Sequence, residues 1–127
     1  FPELGDGSFT QCLSDIRRAG YAGTELGHGF PTDPRELRSA LKAHGLELIS
    51  GWYPSFVLSR SEADEEEAFH EFLDYLIGAG GRYAVVAEFT RCVQRDRSKS
   101  LAFRVGPSIL PASEWERLAR GIERLAD

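Results

Sequence analysis

The sequence predicts an α/β protein with a parallel sheet: a partial (β/α)8 TIM barrel. Three observations carry this expectation. Short apolar segments alternate with amphipathic helical patterns in the order α-β-α-β-α-β-loop-α, which implies a parallel sheet with right-handed crossovers. Each apolar segment closes in polar or aromatic groups, at Gly23-Thr24-Glu25-Leu26-Gly27-His28, Ser50-Gly51-Trp52-Tyr53 and Ala87-Glu88-Phe89-Thr90. Strand-end groups repeated in successive βα units are how a barrel builds a site at its C-terminal rim. Finally, the chain has 127 residues, against roughly 250 for a whole barrel. It opens on Phe1 and stops at Asp127, at the end of a helical pattern with no polar tail, so one partial domain truncated at both ends is expected.

The first helix is expected from about Phe9 to Ala19. Phe9, Cys12, Leu13 and Ile16 share a face, Ser8 with Gln11 makes a capping-box pattern, and Gly20 stops the helix. Tyr21 to Glu25 then reads as a strand. The second helix has Asp33 as N-cap, Pro34 at the first helical position and Glu36 at the third. Its inner face is Leu37, Ala40, Leu41 and His44, and Gly45 ends it. Leu46 to Ser50 follows as a strand. The third helix spans about Ala63 to Ile77, acidic in its first turn, with Phe69, Phe72, Leu73 and Leu76 inward. Glycines 78, 80 and 81 break the chain before the strand Tyr83 to Ala87. A long connection, Arg91 to Ala112, leads to a last helix capped by Ser113 with Glu116 at its third position. That helix is expected to bury Trp115, Leu118, Ala119, Ile122 and Leu125.

Composition narrows the function classes. A net charge of −5 disfavours nucleic acid as a partner, because such sites show as a basic stripe. No apolar run approaches the ~20 residues that span a membrane, so neither nucleic acid nor membrane is expected. Cys12 and Cys92 stand 80 positions apart, in no metal or redox spacing, and read as buried or half-buried thiols of a cytoplasmic protein.

Four groups could carry chemistry. Glu25 ends the first strand and precedes the flexible Gly27-His28-Gly29 turn. Glu25 or His28 is then an acid–base or hydrogen-bonding group, unless Glu25 simply faces solvent. Trp52 and Tyr53 could wall a sugar-like ring, with the tyrosine hydroxyl as donor; core packing is the competing account. Glu88 follows an apolar strand directly, where a charge is costly unless paired, solvated or metal-bound. As a site residue, its change to Gln should lower turnover and leave the melting temperature nearly unchanged. Arg91, Arg95, Arg97, Lys99 and Arg104 make the long loop basic, either as an anion clamp or lid or as a solvated surface. Gly78-Ala79-Gly80-Gly81 precedes a strand, the wrong order for a phosphate loop. His44 and His70 read as ordinary helix residues.

These segments resemble the myo-inosose-2 dehydratase family of inositol catabolism. The resemblance runs through Leu4-Gly5-Asp6-Gly7, Ala19 to His28, Ile49-Ser50-Gly51-Trp52-Tyr53, Val85-Val86-Ala87-Glu88 and the loop from Asp96 to Arg104. That family belongs to the xylose-isomerase-like barrels, with sugar epimerases and an endonuclease for abasic DNA. The resemblance implies dehydration of 2-keto-myo-inositol (scyllo-inosose) to a trihydroxycyclohexane-dione. It also implies a divalent metal, Mn2+ or Co2+, that polarises the ketone, with its main ligands on later strands outside this chain. By position, Glu25 and Glu88 would be catalytic, and His28, Trp52, Tyr53 and Thr90 would contact the cyclitol. A homo-oligomer fits this picture, and the isolated piece is expected to be inactive. The rival readings are a keto-sugar isomerase or epimerase of the same barrels, and a half-barrel without catalysis that covers its exposed edges by self-association.

Overall fold

The structure, a computed structural model, describes residues 8–90 and 110–126. Its elements are α1 (Phe9–Arg18), β1 (Gly23–Glu25), α2 (Pro34–Ala43), β2 (Glu47–Ser55), α3 (Glu62–Ala79), β3 (Tyr83–Glu88) and α4 (Ala112–Ala126). The strands form one sheet in the order β1-β2-β3, with β1 parallel to β2. β3 runs the same way: Arg82 N–H donates to Ile49 O at its start, and Phe89 N–H donates to Ser55 O at its end. The α/β alternation and parallel sheet expected from the sequence are therefore present.

The chain divides into two compact units, residues 1–52 with 71–85 and residues 53–70 with 86–127. The core of the first is Leu13, Leu37, Leu41, Leu46, Leu48 and Leu76 with Ala79, and Phe9, Ile16, Phe30 and Phe72 pack against it. These are the apolar stripes of α1, α2 and the end of α3 closing on β2. Phe9 and Phe30 meet edge to face with centroids 4.9 Å apart. Gly51 allows the close approach of sheet and helix, since a Cβ there would lie 3.1 Å from both Leu76 and Phe72. The second unit contains the start of α3, the turn before it, the end of β3 and α4. Phe69 packs edge to face on Tyr53 at 4.9 Å.

Local chemistry accounts for the boundaries. Asp33 Oδ1 accepts from Arg35 N–H at 2.8 Å, so the α2 N-cap is as read from sequence. At α1 only half of the capping box forms. Ser8 Oγ accepts from Gln11 N–H, but the Gln11 amide turns away to Asp15. β1 is shorter than expected, because Tyr21 N–H donates to Ile16 O and belongs to the helix ending. β2 runs five residues further than expected, through Trp52, Tyr53 and Pro54 to Ser55. Its pairing with β1 slips at Thr24/Glu25, from Leu48 to Ser50. Such a bulge changes which face the following residues take, and burial accordingly shifts from Leu48 to Gly51, Tyr53 and Ser55.

Three further expectations are corrected. α4 begins at Ala112, with Pro111 O accepting from Glu114 and Trp115, so Ser113 lies inside the helix and is not its cap. Its expected inner face is not buried: Trp115 is 57% exposed and Ile122 37%, Ala119 is exposed, and Leu118 and Leu125 are half-buried. The helix is instead tied to α3 by Arg124, which pairs with Glu62 and Glu66. Cys12 is exposed rather than buried. Cys92 and the basic loop from Arg91 to Arg104 lie outside the described residues.

Candidate functional site

Glu25 is the last residue of β1 and Glu88 the last of β3. Each carries a donor supplied by β2. In the first unit, Ser50 Oγ donates to Glu25 Oε1 at 2.9 Å. Glu25 itself is exposed while Ser50 is buried, so the hydroxyl anchors one carboxylate oxygen and leaves the other toward solvent. His28 is exposed in the turn beyond, which the positive φ of Gly29 (77°) makes possible.

In the second unit, Glu88 is half-buried and held by three donors. Ser55 Oγ and Val57 N–H donate to Oε2 at 3.1 and 3.0 Å, and Thr90 N–H donates to Oε1 at 2.8 Å. A carboxylate has about four acceptor positions, so one remains for a further donor. The Thr90 hydroxyl lies 3.2 Å from that of Ser59. Glu88 and Thr90 are thus brought together with Ser55, Val57 and Ser59. Sequence reading missed these serines, because a serine at a strand end or in a turn carries no periodic signal.

The adjacent aromatics part company. Successive strand residues take opposite faces, and Trp52 is 55% exposed while Tyr53 is 5%. The Tyr53 hydroxyl donates to the Glu65 carbonyl oxygen at 3.3 Å. Burial, with the Glu65 carboxylate beside it, pushes Tyr53 up to about 12, against the opposing pull of Arg60. It is a neutral, interior hydroxyl and forms no common wall with Trp52, which alone of the pair is open to a ring-shaped ligand. Neither His44 nor His70 is free for ligation through Nδ1, since each bonds the carbonyl four residues back in its own helix.

Among the described residues no three His, Cys, Asp or Glu side chains come together to hold a metal. The described residues do not fit a metal centre by themselves. A cleft of about 550 Å³ in the first unit involves Arg38, Lys42, Glu47 and Arg82, and none of the candidate residues line it. Among the described residues no helix is long and apolar enough to cross a membrane.

The class defined so far is an α/β chain of parallel strands whose terminal carboxylates are fixed by hydrogen bonds. No family model matches the chain. Along nearly its whole length, however, it is similar to curated inosose dehydratases. It is 39% identical over 127 residues to that of Lacticaseibacillus casei, covering 99% of this chain and 42% of the relative. The identity is 35% over 127 residues with the inosose dehydratase of Geobacillus thermodenitrificans, again 99% and 42%. It is 32% over 125 residues with that of Clostridium perfringens, 98% and 41%. The resemblance seen in the sequence thus holds, and the chain spans about two-fifths of the length of these relatives.

Proposed function

We propose that the protein carrying this chain is an inosose dehydratase, a carbon–oxygen hydro-lyase of inositol catabolism acting in the cytoplasm. The chain supplies about strands two to four of its (β/α)8 barrel. The observation that carries this reading is 39% identity to an inosose dehydratase over 99% of the chain. Two strand-end carboxylates fixed by hydroxyl and amide donors support it.

The chemistry required is a β-elimination. A carboxylate takes the proton on the carbon next to the ketone, and the C–H electrons form an enolate. The enolate expels hydroxide from the next carbon, which leaves as water once protonated. The hydroxy-enone that remains tautomerises to the vicinal dione, so one water is lost and nothing is oxidised or reduced. We assign Glu25 and Glu88 to these proton transfers, since acid–base groups must be held within hydrogen-bond reach of the proton they move. Trp52, His28 and Thr90 are assigned to the cyclitol, Trp52 through its open ring face. The divalent metal expected of the whole enzyme, Mn2+ or Co2+, would supply ketone polarisation from ligands other than these.

The test is to give 2-keto-myo-inositol to the protein at its relatives' length and trap the product with o-phenylenediamine. A vicinal dione condenses to a quinoxaline with its own absorbance; an isomerised keto-sugar does not. Quinoxaline formation is the expected result. A new keto-sugar without quinoxaline would move the protein to the isomerases and epimerases.

A further inference from the structure

One charge sits where the sequence pattern calls for an apolar residue. Glu65 falls on the same stripe of α3 as Phe69, Phe72 and Leu76, and it is only 3% exposed. A buried carboxylate is costly unless it is paired and hydrogen-bonded, and this one is both. Its Oε1 accepts Phe56 N–H at 2.9 Å, and its Oε2 accepts Arg60 Nη1–H at 2.8 Å. Arg60 Nη1 also lies 3.4 Å from the Tyr53 hydroxyl, and its guanidinium carbon lies 4.9 Å from the centre of the Phe56 ring. Tyr53 in turn donates to the Glu65 carbonyl. The turn from Phe56 to Arg60 is therefore fastened at both ends to one residue of α3. Within it, Ser59 and Arg60 N–H both donate to Phe56 O, at 2.9 and 2.8 Å.

The middle of the same turn faces the other way. Val57 N–H donates to Glu88 Oε2, and the Ser59 hydroxyl meets that of Thr90. The donors that fix Glu88 and Thr90 are thus carried by a segment whose position is set from α3. We infer that Glu65 and Arg60 are positioning residues: they clamp the 56–60 turn so that Glu88 and Thr90 are held where the reaction needs them. Neither side chain touches the reacting atoms. The inference rests on the site roles given above to Glu88 and Thr90, but the clamp itself can be read without substrate.

Arg60→Ala is the informative change, since Arg60 is partly exposed and its loss leaves the buried Glu65 carboxylate without its cation. In the full-length protein, hydrogen exchange of the Val57 amide should quicken in Arg60→Ala and slow again in Arg60→Lys. Unaltered exchange overturns the clamp whether or not the protein dehydrates the keto-cyclitol. If the wild type forms no quinoxaline, the dehydratase reading fails separately. With dehydration present, Arg60→Ala should lower kcat about a hundredfold, as small misplacements of a catalytic group do, and raise KM by a much smaller factor through Thr90. Placed on Glu88→Gln, it should lower kcat little further, because residues acting through one another are not additive. Additive losses would show that Arg60 does not act through Glu88, and a lowered melting temperature with normal kcat would show a role in stability alone; either result overturns the inference. Should Arg60→Ala fail to fold, Arg60→Gln, which keeps the stem, carries the same measurements.

Discussion

At Glu88 the hydrogen bonds alter what a conservative change should do. Both carboxylate oxygens accept a backbone N–H, from Thr90 on one side and Val57 on the other. A glutamine amide has one acceptor and one donor end, so either orientation sets an NH2 against a backbone N–H. The sequence alone suggests that Glu88→Gln leaves stability nearly intact, whereas these hydrogen bonds point to a cost. We expect a loss of about 1–3 kcal/mol, the cost of leaving a partly buried donor without its partner, measured as a lower urea midpoint. An unchanged midpoint would mean that the two amides find other acceptors. Tyr53 makes a second residue-level prediction. Unfolded tyrosine ionises near its ordinary value of 10, while folded Tyr53 keeps its proton up to about 12. Above the lower value the unfolded chain binds fewer protons, so this contribution to stability is complete below it and is lost as pH rises toward the upper one. Tyr53→Phe should flatten the fall in urea midpoint between about pH 10 and about pH 12. Tyr75, also raised by burial, keeps some slope. A slope identical to the wild type would remove Tyr53 from the alkaline transition.

Helix endings show what could be read at the scale of elements. α1, α2 and α3 close in the same way, on Gly20, Gly45 and Gly80, with φ of 92°, 66° and 96°. In each, the glycine N–H bonds the carbonyl three residues back and the next N–H bonds the carbonyl five back, as in Gly45 to Lys42 and Leu46 to Leu41. Leu41 and Leu46 then meet in the core, so one motif both stops the helix and aims the following strand. Gly20→Ala and Gly45→Ala test this cleanly. A Cβ at Gly20 meets nothing within 4 Å, and one at Gly45 is in ordinary contact with Arg17. The expected loss of about 1–2 kcal/mol each is therefore backbone strain alone. A loss well under that range in thermal melts would mean the endings rearrange. The glycines, Asp33-Pro34 and the apolar stripes were legible because each acts through neighbours a few positions away. The β2 extension, the Ser55–Glu88 bond and the Glu65 clamp were not, because they depend on contacts between distant segments. One clue was present: Glu65 is the member of the acidic run that shares the spacing of Phe69, Phe72 and Leu76. α4 was misread for the opposite reason, since its amphipathic pattern is strong but its stripe is left partly exposed.

For the molecule as a whole, the amphipathic patterns promise more burial than the chain's own contacts provide. Ile49 and Trp52 on β2, Tyr83 on β3, and Trp115 and Ile122 on α4 are exposed. Among the described residues β1 and β3 each pair only with β2, so each offers one parallel edge. Unpaired strand edges and scattered large apolar side chains favour association with further chain, and a net charge of −5 opposes it only weakly. In the proposed barrel those edges would meet strands of the same protein, since the chain spans 42% of its relatives' length. We therefore expect the 127-residue chain, expressed alone, to sediment above its 14.1 kDa in a way that rises with concentration. Trp115→Glu with Ile122→Lys should lower that mass, because it places charge on an exposed stripe without touching the strand-end carboxylates. The protein at its relatives' length should show no such dependence on these two positions if its own later segments cover α4. A monomer at every concentration from the short chain would mean that its edges and exposed aromatics are tolerated in water. The strand-end sites could then be titrated with cyclitol in the isolated piece.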